Sequence, residues 1–102
     1  MAYILGRLQL KYGATSIPRF IEIMSNAKKG LGAAGWELVG SFSSASGPVY
    51  QVLDLWKVES YDKAQEGVLA EYARNPEFVS WMDKLAEIVE IEDTQILTKL
   101  DL

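Results

Sequence analysis

The chain contains no histidine and no cysteine among its 102 residues. Zinc and iron sites in proteins usually use these two side chains, so neither metal is expected here. Disulfide frameworks, thiolate nucleophiles and catalytic triads with imidazole as the base are excluded as well. Any proton transfer has to use Asp, Glu, Tyr, Lys or an activated water. We therefore expect no metal, and because glycines 30, 32 and 35 are expected to end a helix and do not form a dinucleotide-binding fingerprint, we expect no other cofactor.

Long apolar runs and basic clusters are also missing. No stretch of about 18 apolar residues is present, so no membrane-spanning helix is expected. The N-terminal residues 1–7 lack the basic segment and the long apolar segment of a signal peptide. The net charge is −4, and no basic stripe is interleaved with aromatic residues. These features predict a cytoplasmic protein that binds neither nucleic acid nor a membrane.

The acidic side chains are concentrated in the second half of the chain. Residues 59–102 hold eleven acidic and four basic side chains, whereas residues 1–58 hold three acidic and six basic side chains. Such charge runs are most simply the solvated faces of helices. A length of 102 residues is close to the commonest domain size, and 49% of the residues are hydrophobic. We predict one folded domain over residues 1–102.

Two strand-like runs with a short loop between them form the clearest local signal. The first run is Trp36–Phe42 and the second is Pro48–Val58. The connecting segment Ser43–Gly47 is rich in serine and has little apolar surface, which is typical of a turn. The sequence therefore predicts a β-hairpin in the middle of the chain.

Helical patterns flank this hairpin on both sides. A first strand over Tyr3–Lys11 is followed by an amphipathic helix, with Ser16 as the expected N-cap and glycines 30, 32 and 35 as the expected stop. Its apolar stripe is Ile17, Phe20, Ile21, Met24, Ala27 and Leu31.

A second helix begins at Ser60 or Asp62 and is broken at the segment 75–77, where Asn75 can cap a further helix and Pro76 suits its first position. The last strand is expected from about Glu92 to Leu100. The chain therefore holds six or seven elements.

The element order β-α-β-β-α-β predicts an α+β, ferredoxin-like fold. Right-handed crossovers place the third strand between the first and the second in an antiparallel sheet, with the helices on one face. The other face would carry some of the apolar side chains Trp36, Phe42, Tyr50, Val52 and Trp56. A second copy of the same sheet is the simplest cover, so we expect a homodimeric α/β barrel.

Several motifs in this order resemble the NIPSNAP family of dimeric α/β barrel proteins. They are the segments 35–42, 47–48 and 52–56, the segment 75–78 before an amphipathic helix, and Tyr3 at the start of the first strand. The resemblance covers nearly the whole chain. It implies a ferredoxin-like fold, homodimerisation and a small cavity in each protomer.

Related dimeric barrels include polyketide cyclases, cofactor-free monooxygenases, isomerases and decarboxylases. Family members tend to carry a histidine two residues before the strand tryptophan, where this chain has Asp54. They also tend to carry an arginine on the first strand, where this chain has Gly6 followed by Arg7. The resemblance thus implies that Asp54 and Arg7 take over the function of those residues or that the chemistry of this chain differs.

Asp54 is the first candidate for catalysis. It lies in the middle of a predicted strand, where aspartate is disfavoured and a lone buried carboxylate is costly. In an apolar site its pKa would be raised, which would make it a general acid or base near neutral pH. The alternative is a structural ion pair with Arg7 on the neighbouring strand.

Arg7 and two tyrosines are the candidates for binding polar groups of a substrate. Arg7 could bind a carboxylate or an enolate oxygen, or it could be the partner of Asp54. Tyr50, a further catalytic candidate, and Tyr3 could donate hydrogen bonds to a carbonyl, or they could pack in the sheet with one wet end.

Four large aromatic side chains are candidates for the wall of a substrate pocket. Trp36, Trp56, Trp81 and Phe42 could contact an aromatic ligand, or they could belong to the core or the dimer interface. Two functions remain open. The chain is a small cofactor-independent enzyme of the cyclase, isomerase, lyase or monooxygenase type, acting on a hydrophobic aromatic or polyketide-like molecule. Alternatively, it is a non-catalytic ligand-binding or structural homodimer.

Overall fold

The computed structural model describes residues 1–47 and 49–102. Four strands and three helices follow one another along the chain. They are β1 (Ala2–Leu10), α1 (Ser16–Ala33), β2 (Glu37–Ser43), β3 (Gln51–Val58), α2 (Tyr61–Arg74), α3 (Pro76–Ile88) and β4 (Val89–Leu97). The strands form one antiparallel sheet in the order β2-β3-β1-β4. The predicted α+β, ferredoxin-like fold and the predicted strand order are therefore confirmed.

The two central strands, β1 and β3, supply the sheet side of the hydrophobic core. Alternate residues of each strand are buried, because successive side chains point to opposite faces of a sheet. The buried set is Ile4, Leu8, Leu10, Val52, Trp56 and Val58. Residues of all three helices pack against it, among them Ala27 of α1, Ala64 of α2 and Phe78 of α3. The three helices thus cover one face of the sheet.

Helix α1 begins and ends differently from the prediction. Thr15 is the N-cap residue, and the Ser16 hydroxyl instead donates a hydrogen bond to the carbonyl of Lys11, at 2.5 Å. The helix continues through Gly30 and Gly32 to Ala33, and Gly35 then turns the chain with a φ of +94°. Ile21 is 58% exposed, so its predicted place in the apolar stripe is wrong.

The break between α2 and α3 has the predicted chemistry. The Asn75 side chain accepts a hydrogen bond from the Phe78 backbone N–H at 3.1 Å, and Pro76 occupies the first turn of α3. Asn75 Nδ2 and the guanidinium of Arg74 both donate to the carboxylate of Glu71. These hydrogen bonds, first that of Asn75 and then those of Arg74, lower the pKa of Glu71. The junction is therefore held by side chains as well as by proline.

The edges of the sheet differ from the predicted strand limits. β3 begins at Gln51, since Tyr50 has a φ of +58°, a left-handed conformation that ends the ladder. Pro48, the predicted first residue of this strand, lies outside the described residues. β4 covers Val89–Leu97, three residues earlier than expected at each end, because it continues almost directly from α3.

The face of the sheet away from the helices is apolar, and only part of the expected set of residues lies on it. Val52 and Trp56, two of the five candidates for the outer face, point toward the helices and are buried. Phe42 does lie on the outer face and is 58% exposed. Leu53 and Leu55, in phase with it, extend the same surface. Within the two ranges that the structure covers, no helix is both long and apolar enough to cross a membrane.

Candidate functional site

A cavity of about 230 Å³ lies between the sheet and the helices. Its walls are mostly apolar and come from three strands and all three helices. The lining residues are Ile4, Gly6, Leu8, Met24, Leu31, Trp36, Asp54, Trp56, Gln65, Val68, Met82, Leu85, Glu92 and Thr94. An apolar cleft with a few convergent polar groups is the usual form of a small-molecule site.

Asp54 is the most deeply buried polar group of this cavity. It lies on β3 and is only 4% exposed. Ser41 of β2 is directly opposite in the register, and its hydroxyl donates a hydrogen bond of 2.5 Å to Asp54 Oδ1. Among the described residues no fully buried polar side-chain atom lacks a partner. Asp54 Oδ2 has no hydrogen-bond partner among the described residues. It is therefore not fully buried, and it is accessible from the cavity.

Burial controls the acidity of Asp54. Removal of the carboxyl group from water raises its pKa, and the hydrogen bond from Ser41 lowers the pKa by a smaller amount. The net shift is upward, since the hydroxyl is neutral and cannot replace the hydration of a charge. Asp54 can therefore exchange a proton closer to neutral pH than an ordinary carboxyl group does.

Arg7 does not pair with Asp54, so the ion pair that was one of the two alternatives for Asp54 is not formed. Arg7 lies opposite Leu53 on β3 and opposite Asp93 on β4. The residue opposite Asp54 is Gly6. Neighbouring residues on a strand point to opposite faces, so Arg7 is on the outer face while Asp54 points toward the helices.

Gly6 creates the open space beside Asp54. It is paired with Asp54 on one side and with Thr94 on the other. A Cβ atom at this position would lie 3.7 Å from Leu8 Cδ1 and 3.9 Å from the Asp54 carbonyl oxygen, which is ordinary van der Waals contact. A small side chain would thus fit at position 6. Because glycine has none, part of the cavity floor is empty.

Glu92 is a second carboxyl group in the cavity, and sequence analysis did not identify it. It lies on β4 opposite Leu8, on the same side of the sheet as Asp54. Partial burial and then the nearby charge of Asp54 raise its pKa. The residue as a whole is exposed at the edge strand, so Glu92 stands at the open side of the cavity. The sequence shows only that Glu92 alternates with Thr94 and Ile96 along one strand. The register of β4 against β1 is needed to tell that this face of the strand points into the cavity.

Two of the predicted aromatic residues form part of the cavity wall. Trp36 and Trp56 contact each other edge to face, with ring centroids 5.9 Å apart. The indole N–H of Trp36 donates to the carbonyl oxygen of Ala64 at 3.0 Å, which fixes the ring against α2. The structure therefore brings Asp54, Trp36 and Trp56 together, as predicted.

The remaining predicted site residues lie elsewhere. Trp81 borders a different, smaller crevice beside Asn75, and Lys84 Nζ lies 4.1 Å from the centre of its ring. Tyr50 stands at the end of the hairpin, where its ring contacts that of Tyr12. Tyr3 and Phe42 are on the outer face of the sheet. These four residues therefore do not line the cavity that contains Asp54, and their role in a site stays a prediction.

Gln65 and Thr94 add uncharged hydrogen-bonding groups to the cavity. Gln65 donates one amide hydrogen to the Tyr61 hydroxyl at 2.8 Å and has a second amide hydrogen available. Thr94 contributes a hydroxyl on the far side of Gly6 from Asp54. In the part of the chain that the structure describes, no group of three or more acidic side chains has the arrangement of a metal site. The cavity can thus offer proton transfer and neutral hydrogen bonds.

The sequence of residues 12–102 matches the family model named NIPSNAP. The chain belongs to the NIPSNAP family. A search of curated protein sequences found no significant match. The family assignment confirms the resemblance seen in the hairpin and in the segment around Pro76.

Solved structures of other NIPSNAP proteins share this fold. Protein Atu4242 from Agrobacterium tumefaciens, described as a family member of unknown function, is 26% identical, with a TM-score of 0.83 over 98% of this chain and 94% of that protein. An uncharacterised NIPSNAP domain protein from Burkholderia xenovorans is 17% identical, with a TM-score of 0.79 over 98% and 95% of the two chains.

The same fold extends beyond NIPSNAP proteins. A Nitrosomonas europaea protein, provisionally named an antibiotic biosynthesis monooxygenase, is 14% identical, with a TM-score of 0.70 over 99% of this chain and all of that one. At this identity the likeness concerns the fold alone.

Proposed function

We propose that this NIPSNAP protein is a small enzyme that moves a proton on a hydrophobic molecule without help from a cofactor. The observation that carries the proposal is Asp54, a buried carboxyl group with one neutral hydrogen-bond partner and an oxygen facing an apolar cavity. A carboxyl group that only stabilised the fold would be expected to face a cation instead. A raised pKa is the property that general acid–base catalysis requires of a carboxyl group.

The proposed reaction begins with removal of a proton from a carbon next to a carbonyl group. The Asp54 carboxylate takes the proton, the electron pair of the C–H bond forms a C=C bond, and the former carbonyl oxygen carries the negative charge. Thr94 and the free amide hydrogen of Gln65 are the donors that line the cavity for this oxygen. Return of the proton to the same or another carbon completes an exchange or an isomerisation.

The size of the cavity limits the substrate to a molecule of about one ring. An apolar protein cavity of about 150 Å³ binds benzene. The cavity of about 230 Å³ beside Asp54 has room for one ring with a short substituted chain. Trp36 and Trp56 provide aromatic surfaces against which such a ring can pack. An aromatic ketone is therefore a suitable probe.

The experiment that tests the proposal follows deuterium incorporation into phenylacetone in heavy water by NMR. The protein is expected to accelerate exchange at the carbons beside the carbonyl group, saturating with probe concentration. Binding of phenylacetone without accelerated exchange would contradict the enzymatic proposal and leave a ligand-binding protein. Absence of both binding and exchange would contradict the assignment of the cavity as a site.

The substitution Gly6→Val is expected to abolish this exchange while leaving the fold intact. A β-branched side chain suits a strand, and the Cβ meets only ordinary contacts, so the valine fills the cavity floor between Asp54 and Thr94. Exchange should fall to the rate without protein, and the melting temperature should be equal or higher. Gly6→Ala is the matched control with a smaller loss. Full exchange activity in Gly6→Val would place the reaction elsewhere.

We further propose that two copies of the chain pair through the outer face of the sheet. This face is apolar at Phe42, Leu53 and Leu55, and exposed hydrophobic surface of this kind is typical of an interface. Association of two identical sheets buries it on both copies.

Light scattering at micromolar concentration should give twice the chain mass, and Phe42→Glu should reduce the mass to that of one chain. Ile21→Glu is the matched control, because Ile21 on α1 is also 58% exposed but lies on the helical side. A wild-type mass of one chain would refute the pairing, and so would dissociation by Ile21→Glu alone.

A further inference from the structure

Every ionisable side chain that lines the cavity is an acid. Asp54 and Glu92 are the two, and none of the lining residues is a lysine or an arginine. The recorded ion pairs of the described residues join Arg19 to Glu87 and Arg74 to Glu71, and neither involves a cavity carboxylate. The site therefore has two acidic groups whose charge no protein cation neutralises.

The strand register places these two acids on either side of an open gap. Asp54 is opposite Gly6 on β1, and Glu92 is opposite Leu8 on the other edge of the same strand. Both point toward the helices. Because Gly6 has no side chain, the space over β1 between the two carboxyl groups is free to hold a group of the ligand.

The groups that surround this gap are neutral or acidic on every element packed against it. Helix α1 contributes Met24 and Leu31, and α3 contributes Met82 and Leu85. Helix α2 contributes Gln65 and Val68. Ser41 on β2 is a neutral donor to Asp54.

Tyr72 is an ionisable group on which the charge of Glu92 acts. Burial raises the pKa of the Tyr72 hydroxyl on α2, and the negative charges of Asp83 and Glu92 raise it further. Asp83 and Glu92 are thus both close enough to the Tyr72 hydroxyl for their charges to act on it. The charged group at the open side of the cavity is therefore an acid, Glu92, and no lysine or arginine lines the cavity beside it.

We propose that the substrate of this cavity carries an amino group in addition to its carbonyl group, with an apolar body of one ring against the tryptophans and the protonated nitrogen beside Glu92, over Gly6. This inference rests on the proposed function of the cavity and specifies the class of its substrate. A positive charge over Gly6 is attracted by both carboxylates, and the attraction is strong in a partly desolvated site. A ligand carboxylate would instead meet two like charges without a compensating cation.

The depths of the two acids assign them different roles. Glu92 is at the exposed edge strand, so it is accessible to an incoming cation and orients it. Asp54 is 4% exposed and lies beside the aromatic wall, where the apolar body of the ligand would be. Glu92 therefore binds the amine as a positioning residue, and Asp54 remains available for the transfer of a proton.

The test compares three probes that share a phenyl ring and a short chain but differ in the charge of the end group. They are phenethylamine, phenethyl alcohol and phenylacetate, each titrated by calorimetry into the wild-type protein at neutral pH and low salt. Phenethylamine is expected to bind at least about tenfold more tightly than the alcohol. Phenylacetate is expected to bind more weakly than the alcohol. The preference for the amine should decrease at high salt.

The variant Glu92→Gln shows whether this residue provides the selectivity. Amine binding should weaken by about tenfold or more, while alcohol binding should change by less than about twofold, because glutamine keeps the shape and removes the charge. Asp93→Asn is the matched control, since Asp93 is the next residue of β4 and points to the outer face. It should leave the binding of all three probes unchanged.

The outcomes separate the two proposals. Binding of the alcohol that is lost in Gly6→Val would show that the cavity is a site. If the amine then binds no more tightly than the alcohol, or if Glu92→Gln does not weaken amine binding, the amine proposal is wrong while the cavity remains a site. If phenylacetate binds as tightly as the amine, the amine proposal is also wrong. If none of the three probes binds, the cavity is not a ligand site, and both proposals are refuted.

Discussion

Replacement of Asp54 by asparagine is expected to slow deuterium exchange into phenylacetone by about 10²–10⁴-fold, the usual contribution of a general acid or base. Asparagine keeps the size of the side chain and the oxygen that accepts the hydrogen bond from Ser41. It cannot take up a proton in this pH range. The loss should therefore appear in the turnover rate, while the binding of phenylacetone changes little.

The same substitution is expected to make the fold more stable at neutral pH. Burial raises the pKa of Asp54 in the folded protein above its value in the unfolded chain, which is close to the ordinary aspartate pKa of 3.8. Between these two pKa values the folded state binds more protons than the unfolded state. The free energy of unfolding therefore falls as the pH rises through this window, and it stays lower above it.

The asparagine side chain carries no charge, so the Asp54→Asn protein lacks this part of the pH dependence. Its stability advantage should be absent below the ordinary carboxyl pKa and should grow to a plateau toward neutral pH. Thermal unfolding of both proteins from pH 3 to pH 8 measures the difference in their stability. Each 1 kcal/mol of added unfolding free energy raises the melting temperature by roughly 4–8 °C. Loss of activity together with a gain of stability is the pattern of a residue that is retained for function.

Asp93→Asn is the matched control for both measurements. Asp93 is an acid on β4 that lies on the outer face, opposite Arg7. The substitution should leave the exchange rate unchanged and should not stabilise the fold at neutral pH. An Asp54→Asn protein with wild-type exchange would exclude Asp54 as the base. A destabilised Asp54→Asn protein at neutral pH would show that the carboxylate contributes to the fold.

The second large effect is expected for Gly67→Ala in helix α2. Alanine normally stabilises a helix interior by about 1 kcal/mol relative to glycine. Here the added Cβ would overlap the carbonyl oxygen of Ala34, and it would lie 2.9 Å from the carbonyl carbon and 3.0 Å from the Cα. These are backbone atoms at the end of α1, so no side-chain rotation relieves the contact. We expect a loss of about 3 kcal/mol, at the upper end of ordinary overpacking.

Gly32→Ala is the control for the behaviour of glycine in a helix. A Cβ at Gly32 in α1 has no atom within 4 Å, so alanine there should stabilise the protein by about 0.5–1 kcal/mol. Chemical denaturation of the two variants should therefore shift the midpoint in opposite directions. For Gly67→Ala the melting temperature should fall by roughly 12–24 °C. A stable Gly67→Ala protein would mean that α1 and α2 do not pack this closely.

Local chemistry made several parts of the fold predictable. The hairpin was recognisable because two apolar, β-branched and aromatic runs flank a short serine-rich loop. The junction at Asn75 and Pro76 was recognisable because a capping amide and a proline at the first helical position act within a few residues. By contrast, Gly30 was interpreted as a helix stop, although it is a buried contact point for Phe78. That role depends on a residue far along the chain, in another helix.

The site was only partly predictable for the same reason. Asp54 was identified because a carboxyl group in an apolar strand is unusual in any context. Arg7 is a possible partner for Asp54 on the sequence alone, but the register places Arg7 opposite Leu53 and Asp93. A difference of one residue in pairing moves a side chain to the other face of the sheet. Glu92 was missed because its approach to Asp54 depends on β4 pairing with β1.

The sequence by itself determined the type and order of the elements, the absence of thiol and imidazole chemistry, and the importance of Asp54. Each of these depends on residue type or on neighbours close in the chain. The tertiary structure decided which face each strand residue occupies, that Gly6 leaves a gap beside Asp54, and that Glu92 rather than Arg7 shares the cavity. These features arise from pairing between distant segments, where burial and backbone register, not local propensity, determine which side chains meet.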